Sequence, residues 1–344
     1  MKIKLLDEML GVVEENYPYA VDYFEAVGIS VDTWEKTNSI RRLIDVLDDD
    51  FIEDVGTTKV ELKQGFIMFI ERMEALKDNK QQVEEITILG GKNKLGKDED
   101  IKISIKKGDV VSIVGPTGSG KSRLLADIEC LAQRDTQTRR KILINGKEPK
   151  KSERFTIENK LIAQLSQNMN YVMDLSVIEF IRLHGESRMI QDVDYVSEKI
   201  FSYANELAGE SFKKDTPLTQ LSGGQSRALM IADTALLSVS PIVLIDEIEN
   251  AGVDRKKALE LLVKEEKIVL MSTHDPILAL LGEKRIVIEN GGIKVVKTTT
   301  EKEKYNLEKI ENIDKKMLQI RNKIRVGENI DFNIDDYFGF ENRN

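Results

Sequence analysis

Five short stretches of this chain carry residue types suited to binding phosphate and activating water. In order they are GPTGSGKS at 115–122, Gln167, LSGGQ at 221–225, VLIDE at 243–247 and STHD at 272–275. The first matches the pattern G-x-x-x-x-G-K-[ST] in full, follows the apolar run VVSIV and begins a helix-like stretch. A chance glycine-rich turn is the alternative, but a full match between a strand and a helix favours a loop that binds the phosphates of a nucleotide.

The residues of this first motif each have a physical role in such a loop. Glycines let the backbone curl so that successive N–H groups face a phosphate, and the start of a helix adds positive potential. We expect Lys121 to lie across the β- and γ-phosphates and the Ser122 hydroxyl to bind Mg²⁺. The predicted nucleotide-binding residues are Gly115, Pro116, Thr117, Gly118, Ser119, Gly120, Lys121, Ser122 and Arg123.

Two carboxylates, Asp246 and Glu247, follow the apolar run IVLI at 242–245. A buried parallel strand would deliver them to its carboxyl end, the edge at which open α/β sheets bind ligands. We expect Asp246 to hold Mg²⁺ through water and Glu247 to polarise the attacking water as a general base. An ordinary acidic pair at a strand end is the alternative, and the spacing from the phosphate loop and from LSGGQ argues against it.

LSGGQ, placed between the phosphate loop and the Asp-Glu strand, makes the chain resemble the ATP-binding cassette (ABC) ATPases over roughly residues 84–297. In that family the segment lies on a helical subdomain and begins a helix. The resemblance implies that it binds the γ-phosphate of ATP held by the opposite subunit, so that two chains share each site. Two glycines and a serine before a helix are also physically suited to a second anion site. The residues that would take this role are Ser222, Gly223, Gly224 and Gln225.

Other positions take roles from the same resemblance. Gln167 would sense Mg²⁺ and the γ-phosphate, and Gln164 is a weaker candidate for that role. His274 would contact the γ-phosphate as the switch histidine, whereas His184 matches no motif and is interpreted as structural. Asp254 would lie in the loop that crosses to the other subunit of the dimer. The catalytic residues implied are Glu247, His274 and Gln167, and the magnesium site implied consists of Ser122, Gln167 and Asp246.

Two segments depart from the family pattern. Glu247 is followed by Ile248 and Glu249 where the usual cassette has Pro-Thr, and the stretch that ends in Asp254 is one residue longer. The run ITILGGKNKLG at 86–96 has no aromatic residue where many cassettes stack one on adenine. Base stacking is then weak or is replaced by Ile88, Leu89 or another apolar face, which leaves a strict preference for ATP over GTP open.

The pattern along the chain predicts an α/β core preceded by a small all-α domain. From Ile86 onward, short β-rich runs alternate with helix-like stretches, which is typical of a mainly parallel sheet. With the resemblance, this gives a P-loop NTPase core of the ABC type with a helical subdomain. The predicted parts are a helical docking or regulatory domain at 1–80, an ATPase domain at 84–297 with its helical subdomain at about 168–222, and a C-terminal helix with an acidic tail at 298–344.

The C-terminal helix carries apolar residues at 310, 313, 317, 320 and 324, which follow a helical spacing. We expect this stripe to pack on the core rather than to form a dimer zipper, because it spans barely three heptads. The final DFNIDDYFGFENRN is expected to be a loosely held tail, with a short docking segment as the alternative.

The composition restricts the classes of function. The net charge is −9, and residues 1–80 hold 18 acidic against 10 basic residues, so the rest of the chain is close to neutral. That balance argues against a nucleic-acid partner, which normally needs a basic face. A single cysteine fits a cytoplasmic protein. Apolar runs fall short of the roughly 20 residues that cross a bilayer.

Two functions fit these observations. The first is a soluble ABC ATPase whose ATP-driven homodimerisation acts on a cytoplasmic protein partner through residues 1–80, with ATP and Mg²⁺ bound. The alternative is the nucleotide-binding subunit of a membrane transporter, whose partner would be a membrane permease. A chromosome-maintenance ATPase of the SMC type is nearly excluded, because those proteins carry very long coiled coils between the phosphate loop and LSGGQ.

Overall fold

The computed structural model describes residues 2–29, 35–78, 83–155, 160–166, 171–188, 190, 192–247 and 253–339. The chain divides into two compact units, Met1–Gln81 and Gln82–Asn344. The first unit is built from helices, and the second combines two β-sheets with helices. Among the described residues, no helix combines the length and the apolar character needed to cross a membrane.

Aromatic side chains form the centre of the first unit. Phe24 and Phe66 are fully buried and stack with their ring centroids 5.0 Å apart, and Tyr23 packs edge-on against Phe24. The Tyr23 hydroxyl donates to the Leu62 carbonyl at 3.0 Å, in space that Gly65 leaves open by having no side chain. The helices are α1 Lys2–Asp7, α2 Leu10–Asn16, α3 Ala20–Ala26, α4 Ile40–Asp45, α5 Asp49–Val55 and α6 Lys59–Asp78.

Local sequence signals account for several helix ends in this unit. The Ser39 hydroxyl accepts a hydrogen bond from the Arg42 N–H and caps α4, as the sequence predicts. Gly28 has φ +80° just after α3, a left-handed conformation that ends a helix readily. Pro18 lies in the turn before α3 rather than in its first helical turn.

A six-stranded sheet forms the centre of the second unit. The strands of that unit are β1 Glu85–Leu89, β2 Lys102–Lys106, β3 Val110–Val114, β4 Lys141–Ile144, β5 Ile162–Leu165, β6 Ile242–Asp246, β7 Ile268–Ser272, β8 Lys284–Glu289 and β9 Gly292–Thr298. The large sheet has the order β5-β6-β7-β3-β8-β9, and its neighbours are parallel except for β8 and β9. β3, β6 and β7 are almost wholly buried, as expected for parallel strands covered on both faces. The predicted α/β fold with a mostly parallel sheet is confirmed.

Three of the predicted strands form a separate antiparallel sheet, in the order β2-β1-β4. The sequence pattern had placed them with the other β-rich runs in one mainly parallel core. β1 and β2 pair antiparallel, and residues 90–101 between them contain no helix of the kind that usually carries a parallel crossover. Ile86, Ile88, Ile103 and Ile105 of these strands are buried in one apolar cluster with the large sheet.

Helices cover the large sheet and form the part of the unit that carries LSGGQ. They are α7 Lys121–Glu129, α8 Lys151–Phe155, α9 Val177–Ser187, α10 Val193–Leu207, α11 Gly223–Leu236, α12 Arg255–Lys264, α13 Pro276–Leu281, α14 Glu301–Arg325 and α15 Ile334–Phe338. α9, α10 and α11 pack on one another and share an apolar cluster with the large sheet. The sequence pattern did not predict α8, α13 or β9. α8 and α13 are too short to show a helical period.

A buried guanidinium joins the antiparallel sheet to the rest of this unit. Arg140 is 0% exposed and donates to the two carboxylate oxygens of Glu99 at 3.0 and 2.7 Å. It also donates to Asp127 of α7 at 2.9 Å and to the Gly291 carbonyl, between β8 and β9, at 2.8 Å. One side chain therefore connects the β1–β2 hairpin, the helix after the phosphate loop and the turn between β8 and β9.

The C-terminal helix α14 lies on the second unit with charged contacts along its length. Its ion pairs with the core are Glu303–Arg285, Glu311–Lys256 and Asp314–Arg255. Within the predicted apolar stripe, Ile320 is buried and Ile310 is half-buried. The other members are exposed, and they are Ile313, Met317 and Ile324. The stripe therefore packs less than the sequence predicted, because charged side chains make much of the contact.

The prediction of a loosely held tail is wrong for residues 333–338. The Asn333 side chain accepts from the N–H groups of Asp335 and Asp336 and caps α15. Tyr337 then fixes this short helix to α14, since its hydroxyl donates to Gln319 and its carbonyl accepts from Lys316 at 2.6 Å. Residues 340–344 lie outside the described residues.

Replacing Glu99 by glutamine should weaken the network around Arg140. Burial alone would raise the pKa of the Glu99 carboxyl, but hydrogen bonds from Arg140 and from the N–H groups of Gly91 and Ile293 bring that pKa below its ordinary value. The carboxylate therefore stabilises the fold above about pH 4.3, and this contribution is lost as the pH falls through the folded-state pKa. We expect Glu99→Gln to lower the free energy of unfolding by about 3 kcal/mol at pH 7 and to flatten its fall below pH 4.3, in urea titrations.

Glu289→Gln is the matched control, because Glu289 pairs with Lys294 in the neighbouring β8–β9 hairpin and both side chains are more than half exposed. An exposed pair of this kind contributes less than about 1 kcal/mol. Equal losses in the two variants would contradict a special role for the buried network.

Candidate active site

The carboxyl ends of β6, β7 and β3 bring the predicted chemical residues to one edge of the parallel sheet. These strands are neighbours in that order. β3 leads into the phosphate loop (residues 115–122), β6 ends at Asp246, and β7 ends at Ser272, two residues before His274. Asp246 and Ser272 pair in register. The edge is the one at which open α/β sheets bind ligands.

Glycine is required where the phosphate loop passes close to other backbone. Gly118 and Gly120 have φ of +75° and +110°, and Gly120 directly precedes α7. A Cβ on Gly120 would lie 2.9 Å from the Cα of Gly291, and a Cβ on Gly115 would lie 2.5 Å from the Ile288 carbonyl oxygen. Backbone atoms cannot give way as a flexible side chain can, so the curl of the loop depends on these residues having no side chain.

Lys121 is buried, and its ammonium lies within the phosphate loop. It donates to the Gly115 carbonyl at 2.9 Å and to the Pro116 carbonyl at 3.4 Å. The Ser119 hydroxyl is buried and has no hydrogen-bond partner among the described residues. The exposed residues around them are Pro116, Thr117, Gly118, Ser122 and Arg123. An ammonium and an unsatisfied hydroxyl in a loop at the start of a helix fit the phosphates of a nucleotide.

His274 lies between the phosphate loop and the predicted general base. Its Nε2 atom is 3.2 Å from Lys121 Nζ and 3.2 Å from Glu247 Oε1. Glu247 has φ +51°, which is uncommon for a residue other than glycine, and its N–H donates to the Ser272 carbonyl at 3.0 Å. The backbone turn at Glu247 thus ends β6 and leaves the carboxylate beside His274. The predicted base, switch histidine and phosphate-binding lysine are therefore in one cluster.

Ser122 and Asp246 are the described members of the predicted magnesium site. Within the described part of the chain, no group of three or more His, Cys, Asp and Glu side chains could hold a metal ion. Mg²⁺ commonly binds through one or two protein oxygens together with waters and substrate phosphates, which matches a hydroxyl and a carboxylate. The Ser272 hydroxyl, in register with Asp246, is buried and lacks a partner among the described residues. The residues present therefore fit Mg²⁺ that arrives with a nucleotide.

Gln167 and residues 248–252 lie outside the described residues, so the role given to Gln167 stays a prediction, and the departure at Ile248 and Glu249 is not described structurally. The alternative glutamine, Gln164, is described in β5. Its terminal amide lies beside the Glu129 carboxylate of α7, and with the amide oriented so that its nitrogen faces Glu129 it donates there at 2.6 and 2.9 Å. This contact engages Gln164 with α7, which favours Gln167 as the glutamine that senses the nucleotide.

The signature segment (residues 221–225) begins α11. The Ser222 hydroxyl accepts from the Gln225 N–H at 3.3 Å, and the Gln225 side chain accepts from the Ser222 N–H at 2.9 Å, which forms a capping box. Gln225 also donates to the carbonyls of Glu210 and Ser211. Both predicted polar side chains thus serve to start the helix. The N–H groups of Gly223 and Gly224 have no acceptor among the described residues.

Asp254 caps α12, since its carboxylate accepts from the Lys257 N–H at 3.2 Å, and its own N–H donates to the Leu207 carbonyl at the end of α10. Asp254, at the end of the loop predicted to cross the dimer, is thereby bonded to the helix that precedes the signature segment. His184 has the structural position expected of it, because its Nδ1 is 2.8 Å from Asp233 Oδ1 between α9 and α11.

The apolar face expected to replace an aromatic at the base cannot include Ile88. Ile88 is 0% exposed, because it points into the core beneath the antiparallel sheet. Leu89 at the end of β1 is half-buried and remains a candidate. The sequence run alone did not distinguish the inward residue from its neighbour.

Two charged residues at the site were not found by sequence analysis. Lys94 donates to the Gly118 carbonyl of the phosphate loop at 2.8 Å. Arg255 donates to the carboxylate of Asp275, the residue after His274. Neither lies in a recognisable motif, and the one available signal was the position of Arg255 directly after Asp254.

Replacing each of the two histidines separates a catalytic role from a structural one. We expect His274→Ala to lower kcat for MgATP about 100-fold, because the ring faces the base and the phosphate-binding lysine. Its stability should change little, since the side chain is 42% exposed. Phosphate release at saturating MgATP and a thermal melt measure the two effects.

His184→Ala is the control of the same residue type. It should lower the free energy of unfolding by about 1–2 kcal/mol by leaving Asp233 without its partner, while kcat stays within about twofold. A similar loss of kcat in both variants would remove the special role of His274.

Sequence comparison finds similar proteins that are described as ATP-binding, in agreement with a site that fits a nucleotide. A family model described as ABC transporter matches residues 99–250. The chain is 52% identical over 250 residues to the uncharacterized ABC transporter ATP-binding protein MJ0121 of Methanocaldococcus jannaschii, which covers 72% of this chain and 95% of that protein. It is 30% identical over 222 residues to protein MJ0796 of the same organism, also described as an ABC transporter ATP-binding protein, covering 57% of this chain and 86% of that protein.

Solved structures show the same fold. The structure of cbiO1 from Clostridium perfringens, described as part of the ABC transporter complex cbiONQ, matches with a TM-score of 0.51. The identity is 22%, and the match covers 71% of this chain and 100% of that chain. At that identity the likeness concerns the fold alone.

Proposed function

Because the chain belongs to the ABC family of ATP-binding proteins, which hydrolyse ATP, we propose that it acts as a homodimer in which each ATP lies between two copies. The observation that carries this proposal is the N-terminus of α11. Ser222 and Gly223 are exposed there, and a Cβ on Gly223 would meet only open space. The N–H groups of Gly223 and Gly224, which have no acceptor among the described residues, and the helix dipole favour an anion supplied from outside this helix.

The anion site at α11 and the phosphate loop are separate within one chain. Among the described residues, no hydrogen bond or ion pair joins residues 222–225 to residues 115–123. Most homo-oligomers are symmetric, and a two-fold axis would place each α11 N-terminus over the phosphate loop of the other copy. Each ATP would then be bound by Lys121 of one chain and by the signature segment of its partner.

The roles proposed for hydrolysis follow from the geometry of the cluster. Glu247 accepts the proton of the attacking water, and His274 beside it contacts the γ-phosphate. Lys121 leaves the carbonyls that it now binds and pairs with the phosphates. When bound, Mg²⁺ would neutralise charge on the β- and γ-phosphate oxygens, held by Ser122 and Asp246 together with Gln167.

We further propose that the first unit, Met1–Gln81, binds a cytoplasmic protein partner. It lies outside the region that matches the family model, and it carries most of the net negative charge of the chain. Several large apolar side chains are exposed on it, and they are Met9, Val12, Val46, Val60 and Met68. Exposed apolar groups on an acidic helical unit suit a partner with a basic, partly apolar surface.

The second candidate is the nucleotide-binding subunit of a membrane transporter. The names of the relatives favour it, since both archaeal proteins are described as ABC transporter ATP-binding proteins. In that case the partner would be a membrane permease. The fold by itself serves both functions.

Glu247→Gln should trap the ATP-bound dimer. Without the carboxylate the water is not activated, so ATP stays bound and the two copies stay together. With saturating MgATP, light scattering should give twice the 39.1 kDa of one chain, while ATP turnover is nearly abolished. The double variant Glu247→Gln with Gly223→Arg should stay monomeric, because the new side chain fills the anion site. A monomeric Glu247→Gln protein would contradict the shared site.

A mixture of two inactive variants tests the same model through activity. Lys121→Ala and Ser222→Arg should each lose hydrolysis as homodimers. A mixed dimer retains one site made from an intact phosphate loop and an intact signature segment, so combining the variants should restore measurable phosphate release. If the mixture stays as inactive as its components, each site belongs to a single chain.

The two candidate partners can be separated by capture from the native cell with the tagged Glu247→Gln chain, with and without MgATP. A soluble protein that is lost after Val46→Asp and Met68→Asp supports the first function. A protein with several membrane spans, retained in that double variant, supports the transporter instead.

A further inference from the structure

Arg255, at the start of α12, forms hydrogen bonds with two other segments of the second unit. One guanidinium nitrogen donates to the Asp275 carboxylate, and the other donates to Asp314 of α14 at 2.9 Å. Arg255 is also the first residue of α12, directly after Asp254, whose N–H is bonded to Leu207 of α10. The C-terminal helix, the segment after β7 and the start of α12 after Asp254 thus meet at one side chain.

Asp275 connects this meeting point to His274. One of its carboxylate oxygens accepts from the N–H groups of Ile277 and Leu278 at 2.8 and 3.1 Å, and the other accepts from Arg255. Its own N–H donates to the Thr273 hydroxyl at 3.0 Å. The backbone on both sides of His274 is therefore fixed by hydrogen bonds, and the orientation of Asp275 is shared between α13 and Arg255.

We propose that Arg255 and Asp314 are positioning residues through which α14 holds the switch histidine in place. The path runs from Asp314 to Arg255, from Arg255 to Asp275, and through the backbone to His274, which faces Glu247. The inference rests on the proposed role of His274 in hydrolysis. It gives α14, which lies outside residues 99–250 of the family match, a part in the chemistry.

The partial burial of Arg255 and Asp275 strengthens the electrostatic interaction between them. The side chains of Arg255 and Asp275 are 23% and 16% exposed, so their interaction is less screened than that of a surface pair. Asp314 is 38% exposed and adds a second carboxylate to the same guanidinium. With two carboxylates the guanidinium plane is held in one orientation. With Asp275 alone it can turn about that single contact.

The neighbouring ion pair of α14 provides a matched comparison. Lys256 and Glu311 are 3.3 Å apart and join the same two helices, α12 and α14. Among the described residues, neither forms a hydrogen bond or ion pair with the segment 272–275. Loss of this pair removes a helix contact of similar kind without interrupting the path to His274.

The kinetic test compares Asp314→Asn with Glu311→Gln in the full-length chain. Asp314→Asn should lower kcat for MgATP about fivefold with KM within about twofold, because nucleotide binding does not need the switch histidine in place. Asp314→Glu should restore much of the rate, and Glu311→Gln should leave kcat within about twofold. Thermal melts verify that both single variants are folded. An unchanged or raised kcat in Asp314→Asn, or equal losses in both variants, would overturn the proposal.

A spectroscopic readout makes the test independent of hydrolysis. The chain has two histidines, so a protein labelled with ¹³C at histidine gives one ring signal each from His184 and His274. In the nucleotide-free protein, Asp314→Asn should move the His274 signal and leave His184, paired with Asp233, as an internal reference. Glu311→Gln should move neither. A fixed His274 signal in Asp314→Asn overturns the proposal, whereas full hydrolysis by His274→Ala would instead overturn the proposed role of the histidine.

Discussion

The buried guanidinium of Arg140 is the contact on which the geometry of the site depends. A charged group with no exposure is stable only when its donors are satisfied, and Glu99, Asp127 and the Gly291 carbonyl do this together. Each of these three acceptors belongs to a segment of the chain that borders the phosphate loop. Gly291 lies against Gly120, and Asp127 lies on the helix that Lys121 begins. The curl of the loop is therefore supported from three sides by one ionic network rather than by apolar packing alone.

The chemistry itself depends on the order of three parallel strands. Because β7 lies between β6 and β3, the segment that carries His274 reaches both the carboxylate after β6 and the lysine after β3. The single Nε2 atom of His274 stands at the same distance from an ammonium and from a carboxylate. A phosphate that draws Lys121 away would leave that atom to Glu247 and the ligand. In the proposed mechanism, a phosphate in the loop would therefore change the surroundings of Glu247.

Residues that belong to a short local motif were predictable from sequence. Residues whose partners lie far away in the sequence were not. The phosphate loop, the Asp-Glu strand end and the signature helix each follow from a short run, and the structure has the expected strand or helix at each of them. Arg140 and Arg255 have partners 13 to 151 and 20 to 59 residues away in sequence, so no local pattern identifies them. The docking of α15 on α14 was missed for the same reason. Tyr337 contacts Lys316 and Gln319, which lie 21 and 18 residues away in sequence.

The left-handed backbone at Glu247 has a consequence for how this chain would change under selection. A residue with a side chain held there costs of order 1 kcal/mol relative to glycine, which adopts that conformation freely. Selection for thermal stability alone would therefore favour glycine or asparagine at this position and discard the carboxylate. A laboratory search for more stable variants would then select against the carboxylate that we propose as the general base of hydrolysis. At this one residue, greater thermal stability and the proposed hydrolysis of ATP would require different side chains.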